Sequence, residues 1–109
     1  MLNHALLVKI IARPDRAEDV AQFLADALPL ANAEDFTPAW FAIRVDKVTF
    51  YVFDAFATVE DRTRHLEGAI AQALMANAET LLSEAPSIVS ARVLGSKMSA
   101  PRWPSLPQG

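Results

Sequence analysis

The chain has 109 residues, of which 52% are hydrophobic and 21% charged, a composition typical of one globular domain rather than of a disordered segment. The formal net charge is −3 and no basic run occurs, which argues against nucleic-acid binding and against attraction to an anionic membrane surface. The absence of cysteine excludes disulfides and cysteine metal sites, and it is compatible with the cytoplasmic location that we predict.

The first third of the chain predicts a strand followed by a helix. Residues 4 to 12, HALLVKIIA, are nearly continuously apolar, so we expect a strand buried on both faces rather than a signal peptide or a membrane span. Asp15, with Glu18 three residues later, is typical of a helix N-terminus. Apolar residues at helical spacing then predict one amphipathic helix over residues 16 to 30, and Pro29 should disturb its last turn.

A β-hairpin is predicted in the middle of the chain. Residues 39 to 45 and 48 to 57 are rich in aromatic and β-branched side chains, and a tight turn near Asp46 and Lys47 separates them. The register stays open by one residue, and such a shift would move Asp54 to the opposite face of the sheet. Because burying an unpaired charge is costly, Asp54 must meet water, a cation or a polar cavity.

Two helices and a last strand follow the hairpin. Thr58 with Asp61 is a capping pattern for a helix that runs to about residue 66, and Gly68 separates it from a helix over about 69 to 83, which Pro86 ends. Residues 87 to 97 predict the last strand. We expect a domain over residues 1 to 98 and a tail over 99 to 109, which contains three prolines. The order β-α-β-β-α-β is the ferredoxin-like split βαβ arrangement, an α+β fold with helices on one face of an antiparallel sheet.

Both faces of the predicted sheet carry large apolar side chains. On the second strand, Trp40 and Ala42 lie on one side, and Phe41, Ile43 and Val45 lie on the other. One layer of helices covers only one face. We therefore expect the open face to meet a second copy of the chain in a homodimer with two-fold symmetry.

The segment FYVFDAFATVEDRTRHLEG, residues 50 to 68, resembles a pattern of antibiotic biosynthesis monooxygenase (ABM)-like domains. That pattern has an acidic strand residue, an aromatic residue two positions later, a Ser/Thr cap, an acidic turn and a helical histidine. The matching residues here are Asp54, Phe56, Thr58, Glu60 with Asp61, and His65. Glu34 and Trp40 match in type the segment before the second strand of these domains, whereas Asp35 and Phe36 stand where Pro and Gly are frequent.

The resemblance covers about residues 4 to 97 and implies a dimeric α+β barrel. Members of this class include oxygenases that act on polycyclic phenols or quinones without a cofactor, so the resemblance implies oxygenation with no bound metal or flavin. A haem-degrading branch resembles this class in fold but uses a first-strand Asn, a third-strand Trp and a helical His. Here Asn3 precedes the first strand and the third strand has no Trp, so only His65 matches. The alternative is a non-catalytic dimeric module that binds a small ligand or a partner.

Asp54 and His65 are the candidate catalytic residues. Either of them could be the base that removes a phenolic proton. Each has a structural alternative: Asp54 could form an ion pair with Arg44, Arg62 or an arginine across the dimer, and His65 could be a hydrogen-bonded residue beside the inward face of its helix. Trp40 would offer a flat wall and an N–H donor to an aromatic ligand.

Phe56 and Arg44 complete the predicted substrate-binding set with Trp40. The predicted ligand is a small planar molecule, either apolar or phenolic. We predict no metal site, because only His4 accompanies His65 and no carboxylate cluster has ligand spacing.

Overall fold

The structure is a computed structural model that describes residues 1–99, and these residues form four strands and four helices. The strands are β1 His4–Ile11, β2 Ala39–Arg44, β3 Thr49–Phe56 and β4 Ser87–Arg92. The helices are α1 Ala17–Asp26, α2 Leu28–Ala33, α3 Val59–Leu66 and α4 Ala69–Leu81, and a short 3-10 turn, Pro14–Arg16, precedes α1.

The four strands form one antiparallel sheet in the order β2-β3-β1-β4. This order, with helices inserted after β1 and after β3, confirms the predicted α+β ferredoxin-like fold. The hairpin register is now fixed: Trp40 of β2 and Leu6 of β1 are both opposite Asp54 of β3. Because side chains alternate along a strand, these three residues share the face that carries the helices.

The main core lies between that face of the sheet and the helices. Alternate apolar residues of β1 and β3 are buried there, apart from Asp54, and the buried stripe of α1 packs onto them. The members from these elements are Val8, Ile10, Phe50, Val52, Val20 and Leu24.

The predicted single helix over residues 16 to 30 is wrong, because the structure contains two helices that meet at Ala27. Pro29 has no N–H to donate to the preceding turn, so α1 cannot continue through it. The proline instead stands in the first turn of α2, where a missing N–H costs nothing.

The predicted cap at Asp15 is also wrong. Pro14, whose φ is fixed near the helical value, starts a 3-10 turn, and α1 begins only at Ala17 without a side-chain cap. The second predicted cap is confirmed, since the Thr58 hydroxyl accepts a hydrogen bond from the Asp61 N–H at 3.0 Å.

The last strand is shorter than the predicted 87 to 97. It ends at Arg92, which pairs with His4, because β1 begins there and offers no further partner beyond one Asn3 carbonyl. Beyond Ser99, the predicted proline-rich tail lies outside the described residues.

The other face of the sheet, called the open face below, carries no helix. In the single chain β1 is therefore not buried on both faces as predicted, since Leu7 is 41% exposed and Lys9 is exposed. The large apolar residues of the open face are Leu7, Phe41, Ile43, Tyr51, Phe53 and Val89. Among residues 1–99, no helix is both long enough and apolar enough to span a bilayer.

Candidate active site

Asp54 is one of the most buried side chains of the described chain, with 1% exposure. The alternation of β3 places it on the helix-covered face, between Val52 and Phe56 along the strand. A carboxylate at this depth requires a compensating partner. The sequence alone left that partner open.

The partner is His65, on the helix that follows β3. Its Nε2 lies 2.8 Å from Asp54 Oδ2. His65 is the one buried residue of α3, so it forms the inward face of the helix rather than flanking it as predicted. Val59 and Leu66 of the same helix are 45% and 38% exposed. The Phe56 ring packs against the imidazole, with ring centroids 5.3 Å apart.

The contact between His65 and Asp54 is close but is not aligned as a hydrogen bond. Both Asp54 oxygens consequently lack a well-directed donor, although each is fully shielded from solvent. Most buried polar atoms in native proteins have a hydrogen-bond partner. The carboxylate therefore retains the capacity to accept a hydrogen bond from a further group.

Glu34 completes the site from the loop between α2 and β2. Its Oε1 lies 2.7 Å from His65 Nδ1 and accepts a hydrogen bond of 2.7 Å from the Thr37 hydroxyl. The two ring nitrogens of His65 thus face two different carboxylates. In the sequence, Glu34 stands out only by its residue type, although the Glu-x-x-Thr spacing that lets Thr37 fold back onto it is a signal for this contact.

The electrostatics of the site favour a protonated His65. Burial of the imidazole is the largest single influence and lowers its pKa, but the short contacts with the negative charges of Asp54 and Glu34 together outweigh it. The pKa of His65 is raised above its ordinary value of 6.5. An imidazolium between two carboxylates is the charge state that matches this geometry.

A cavity of about 40 Å³ adjoins the carboxylate and lies between the sheet, α1, α3 and α4. Its walls are apolar except for three side chains, those of Asp54, His65 and Trp40. The indole Nε1–H of Trp40 is buried without an acceptor. Leu66 and Ile88, 38% and 43% exposed, also line the cavity and mark its mouth beside β4.

The remaining predicted site residues lie elsewhere. Arg44 forms an ion pair with Glu18 of α1 at 2.8 Å and stands over the Phe50 ring, and it does not line the cavity. Phe56 packs against the imidazole of His65 and does not line the cavity. The predicted pairing of Asp54 with Arg44 or Arg62 of the same chain is wrong, because Arg44 pairs with Glu18 and Arg62 donates to backbone carbonyls.

Two grooves on the surface are larger than the cavity, at about 430 Å³ and 460 Å³. Neither contains Asp54, His65 or Trp40, so they are separate from the site. Within residues 1–99, no three His, Asp or Glu side chains converge as metal ligands would. The two carboxylates of the site contact different nitrogens of one ring.

Comparison with solved structures gives a close relative. A crystal structure of a protein of unknown function from Nitrosomonas europaea is 51% identical, covers 93% of this chain and 98% of its own, and superposes with a TM-score of 0.88. The chain belongs to the family of this Nitrosomonas protein. No protein-family model and no curated protein matches the chain.

More distant proteins share the fold, and some of them carry a functional name. A candidate antibiotic biosynthesis monooxygenase from Nitrosomonas europaea is 16% identical, with a TM-score of 0.75 over 84% of this chain and 90% of its own. A protein from Pseudomonas aeruginosa is 21% identical, with a TM-score of 0.74 over 87% and 97%. The ABM-like fold predicted from the sequence is therefore confirmed, whereas these identities carry no statement about activity.

Proposed function

We propose that this family member binds the hydroxyl group of a small, planar, mostly apolar molecule and oxygenates it as a cofactor-independent monooxygenase. The observation that carries the proposal is the buried Asp54 carboxylate, which lacks an aligned donor and faces an apolar cavity. The unpartnered Trp40 N–H lines the same cavity. A hydroxyl group both donates and accepts, so a phenol suits this pair of groups.

The size of the cavity determines how such a molecule would lie. About 40 Å³ holds a hydroxyl group or a water molecule, whereas pockets for whole ligands measure about 300–1,000 Å³. The planar ring would therefore lie in the mouth, against the exposed apolar side chains of Leu66 and Ile88. Side chains at the mouth must move to admit it.

The chemistry begins with a proton transfer. The phenolic O–H donates to Asp54 and transfers its proton, which leaves a neutral carboxylic acid and a phenolate. The His65 imidazolium and the Trp40 N–H stabilise the negative oxygen in a site that excludes water.

Dioxygen is then the oxidant. The phenolate gives one electron to dioxygen, and the resulting superoxide combines with the phenoxyl radical at a ring carbon. Protonation by Asp54 gives a hydroperoxide, which loses water to leave a quinone. One phenol and one dioxygen thus yield one quinone and one water, with no external reductant.

The open face supports the second part of the proposal, a homodimer. Leu7, Phe41, Ile43 and Val89 are 41% to 50% exposed in one chain, and they are neighbours on adjacent strands. A patch of this kind is unusual on a monomer. Two copies of a self-complementary face would cover it by two-fold packing.

A non-catalytic ligand-binding or interaction module is the second candidate. The observation that favours it is the small cavity volume, since a water molecule, at roughly 30 Å³, would satisfy both Asp54 and Trp40. In this case the ion pair between Asp54 and His65 would be structural.

Oxygen consumption with a panel of polycyclic phenols distinguishes the two functions. We expect a phenol-dependent rate in the unmodified protein and a loss of about 100-fold or more in Asp54→Asn, because an amide cannot accept the proton. Asp35→Asn, an equal charge change on an exposed neighbour of Glu34, should retain the rate. Consumption that is the same in Asp54→Asn and in the unmodified protein would exclude the base assigned here. Phenol binding without consumption would favour the module.

A further inference from the structure

The carboxylate of Glu34 lies in a loop but is nearly buried and has several close contacts. Its side chain is 11% exposed, and Oε1 contacts both the Thr37 hydroxyl and His65 Nδ1 at 2.7 Å. Its other oxygen, Oε2, lies where a side chain on Gly68 would stand: a Cβ there would be 2.9 Å from it. Contacts from its own loop and from the end of α3 thus define the position of one carboxylate.

We propose that Glu34 is a positioning residue of the site, which fixes the orientation of the His65 ring and keeps a proton on its Nδ1. The inference deepens the proposed function, on which its catalytic meaning rests. Glu34 does not line the cavity, so it acts through His65 rather than on a substrate.

An imidazole ring carries one proton on its nitrogens when neutral and two when charged. A neutral ring has one N–H and can donate to only one carboxylate, whereas an imidazolium donates from both nitrogens. Here Glu34 faces Nδ1 and Asp54 faces Nε2. An N–H therefore faces each carboxylate only when the ring is doubly protonated. Without the charge of Glu34, Asp54 alone would have to offset the cost of burying the cation.

The other groups packed around His65 offer no substitute. Arg64 of the same helix lies over the Phe36 ring at 4.1 Å, and Arg62 donates to backbone carbonyls of the sheet. The neighbouring positions on β1 and α4 carry apolar Leu6 and Ile70. Among residues 1–99, Glu34 and Asp54 are therefore the charges that contact the ring.

Gly68 is explained by the same arrangement. Its φ is −85°, so no unusual backbone conformation requires glycine there. The space of its missing Cβ is taken by Glu34 Oε2, and the His65 carbonyl is a further close neighbour at 3.3 Å. Gly68→Ala should displace the Glu34 carboxylate without removing any titratable group.

For the proposed reaction, loss of Glu34 would remove the positive charge of His65 that lies beside the phenolate. If His65 becomes neutral, Asp54 still accepts the proton, but the anion that forms has no adjacent cation. Loss of Glu34 should therefore lower kcat and leave KM nearly unchanged, because a group outside the cavity does not contact the bound substrate.

NMR titration of the imidazole resonances tests the inference without a substrate. We expect the pKa of His65 to fall in Glu34→Gln, which keeps an acceptor for Nδ1–H but removes the charge, by about one unit, a tenfold change in the protonation constant. Gly68→Ala should lower it as well. His4 serves as the internal reference, and Asp35→Asn as the matched control, in which the pKa of His65 should not move.

The inference is overturned if the pKa of His65 in Glu34→Gln equals that in Asp35→Asn. It is also overturned if the unmodified protein has a neutral His65 near pH 7. A purely structural role predicts lower stability with an unchanged pKa. Because no phenol is present, failure of the oxygen-consumption assay would leave this result standing, so the two proposals fail separately.

Discussion

The protonation of His65 ties the stability of this protein to pH. Asp54 and Glu34 raise the pKa of the imidazole in the folded chain above its value of 6.5 in the unfolded chain. The native state therefore binds the proton more tightly. This contribution is complete below the unfolded pKa and is lost as the pH rises through the folded pKa.

We predict that the free energy of unfolding falls on the alkaline side of neutrality. Each unit by which the folded pKa exceeds the unfolded one contributes about 1.4 kcal/mol. Urea denaturation at a series of pH values from about 6 to 9 measures the fall. His4→Gln should retain it, and His65→Gln should abolish it. The same pH dependence in His65→Gln would mean that another group is responsible.

At the level of single residues, the sequence identified Asp54, His65 and Trp40 as members of the site but not Glu34. Asp54 was visible because a carboxylate interrupts an apolar strand, and His65 because it follows a capping pattern on the next helix. Glu34 was missed because its contact with His65 spans 31 residues and depends on how two loops meet. Arg44 was wrongly assigned to the substrate-binding set for a similar reason. Its partner Glu18 lies on a helix whose position follows only from tertiary packing.

At the level of elements, strand order and helix location could be predicted from hydrophobic periodicity, but the ends of helices could not. Periodicity continues through Ala27 and Ala31, both buried, so it does not show the break that Pro29 imposes between α1 and α2. The cap at Asp15 failed because Pro14 competes for the same turn. The cap at Thr58 succeeded because no proline or competing donor is near it.

The start of α3 determines where His65 points, and Thr58 determines that start. Thr58→Ala removes the acceptor for the Asp61 N–H, and we predict a loss of about 1 kcal/mol of stability. Thr63→Ala is the matched control, since this exposed threonine lies inside the helix, where alanine is favoured by about 0.5 kcal/mol. Thermal or urea denaturation measures both. Equal effects of the two changes would show that the cap does not stabilise α3.

At the level of the whole molecule, the two faces of the sheet differ in what they expose. The cavity and its three polar residues lie on the helix-covered face, and all of them come from one chain. The apolar patch lies on the opposite, open face. The three polar residues of the cavity therefore need no second subunit, and we expect dimerisation through the open face to be separable from the site by mutation.

Leu7→Lys tests this separation. Leu7 is 41% exposed at the centre of the open face, on a central strand, so a single chain tolerates lysine there. In a two-fold interface the same change would bury two ammonium groups, a cost of several kcal/mol that dissociates the dimer. Met75→Lys, at a 55% exposed position on α4, is the matched control and should leave the assembly intact.

Sedimentation equilibrium gives the mass of each variant, and NMR titration gives its His65 pKa. We expect a dimer for the unmodified protein and Met75→Lys, and a monomer of 11.9 kDa for Leu7→Lys, with the same raised pKa of His65 in all three. A dimer that survives Leu7→Lys would place the interface elsewhere. A monomer whose His65 titrates normally would instead show that the open face supports the site through the sheet, so that the two surfaces are coupled.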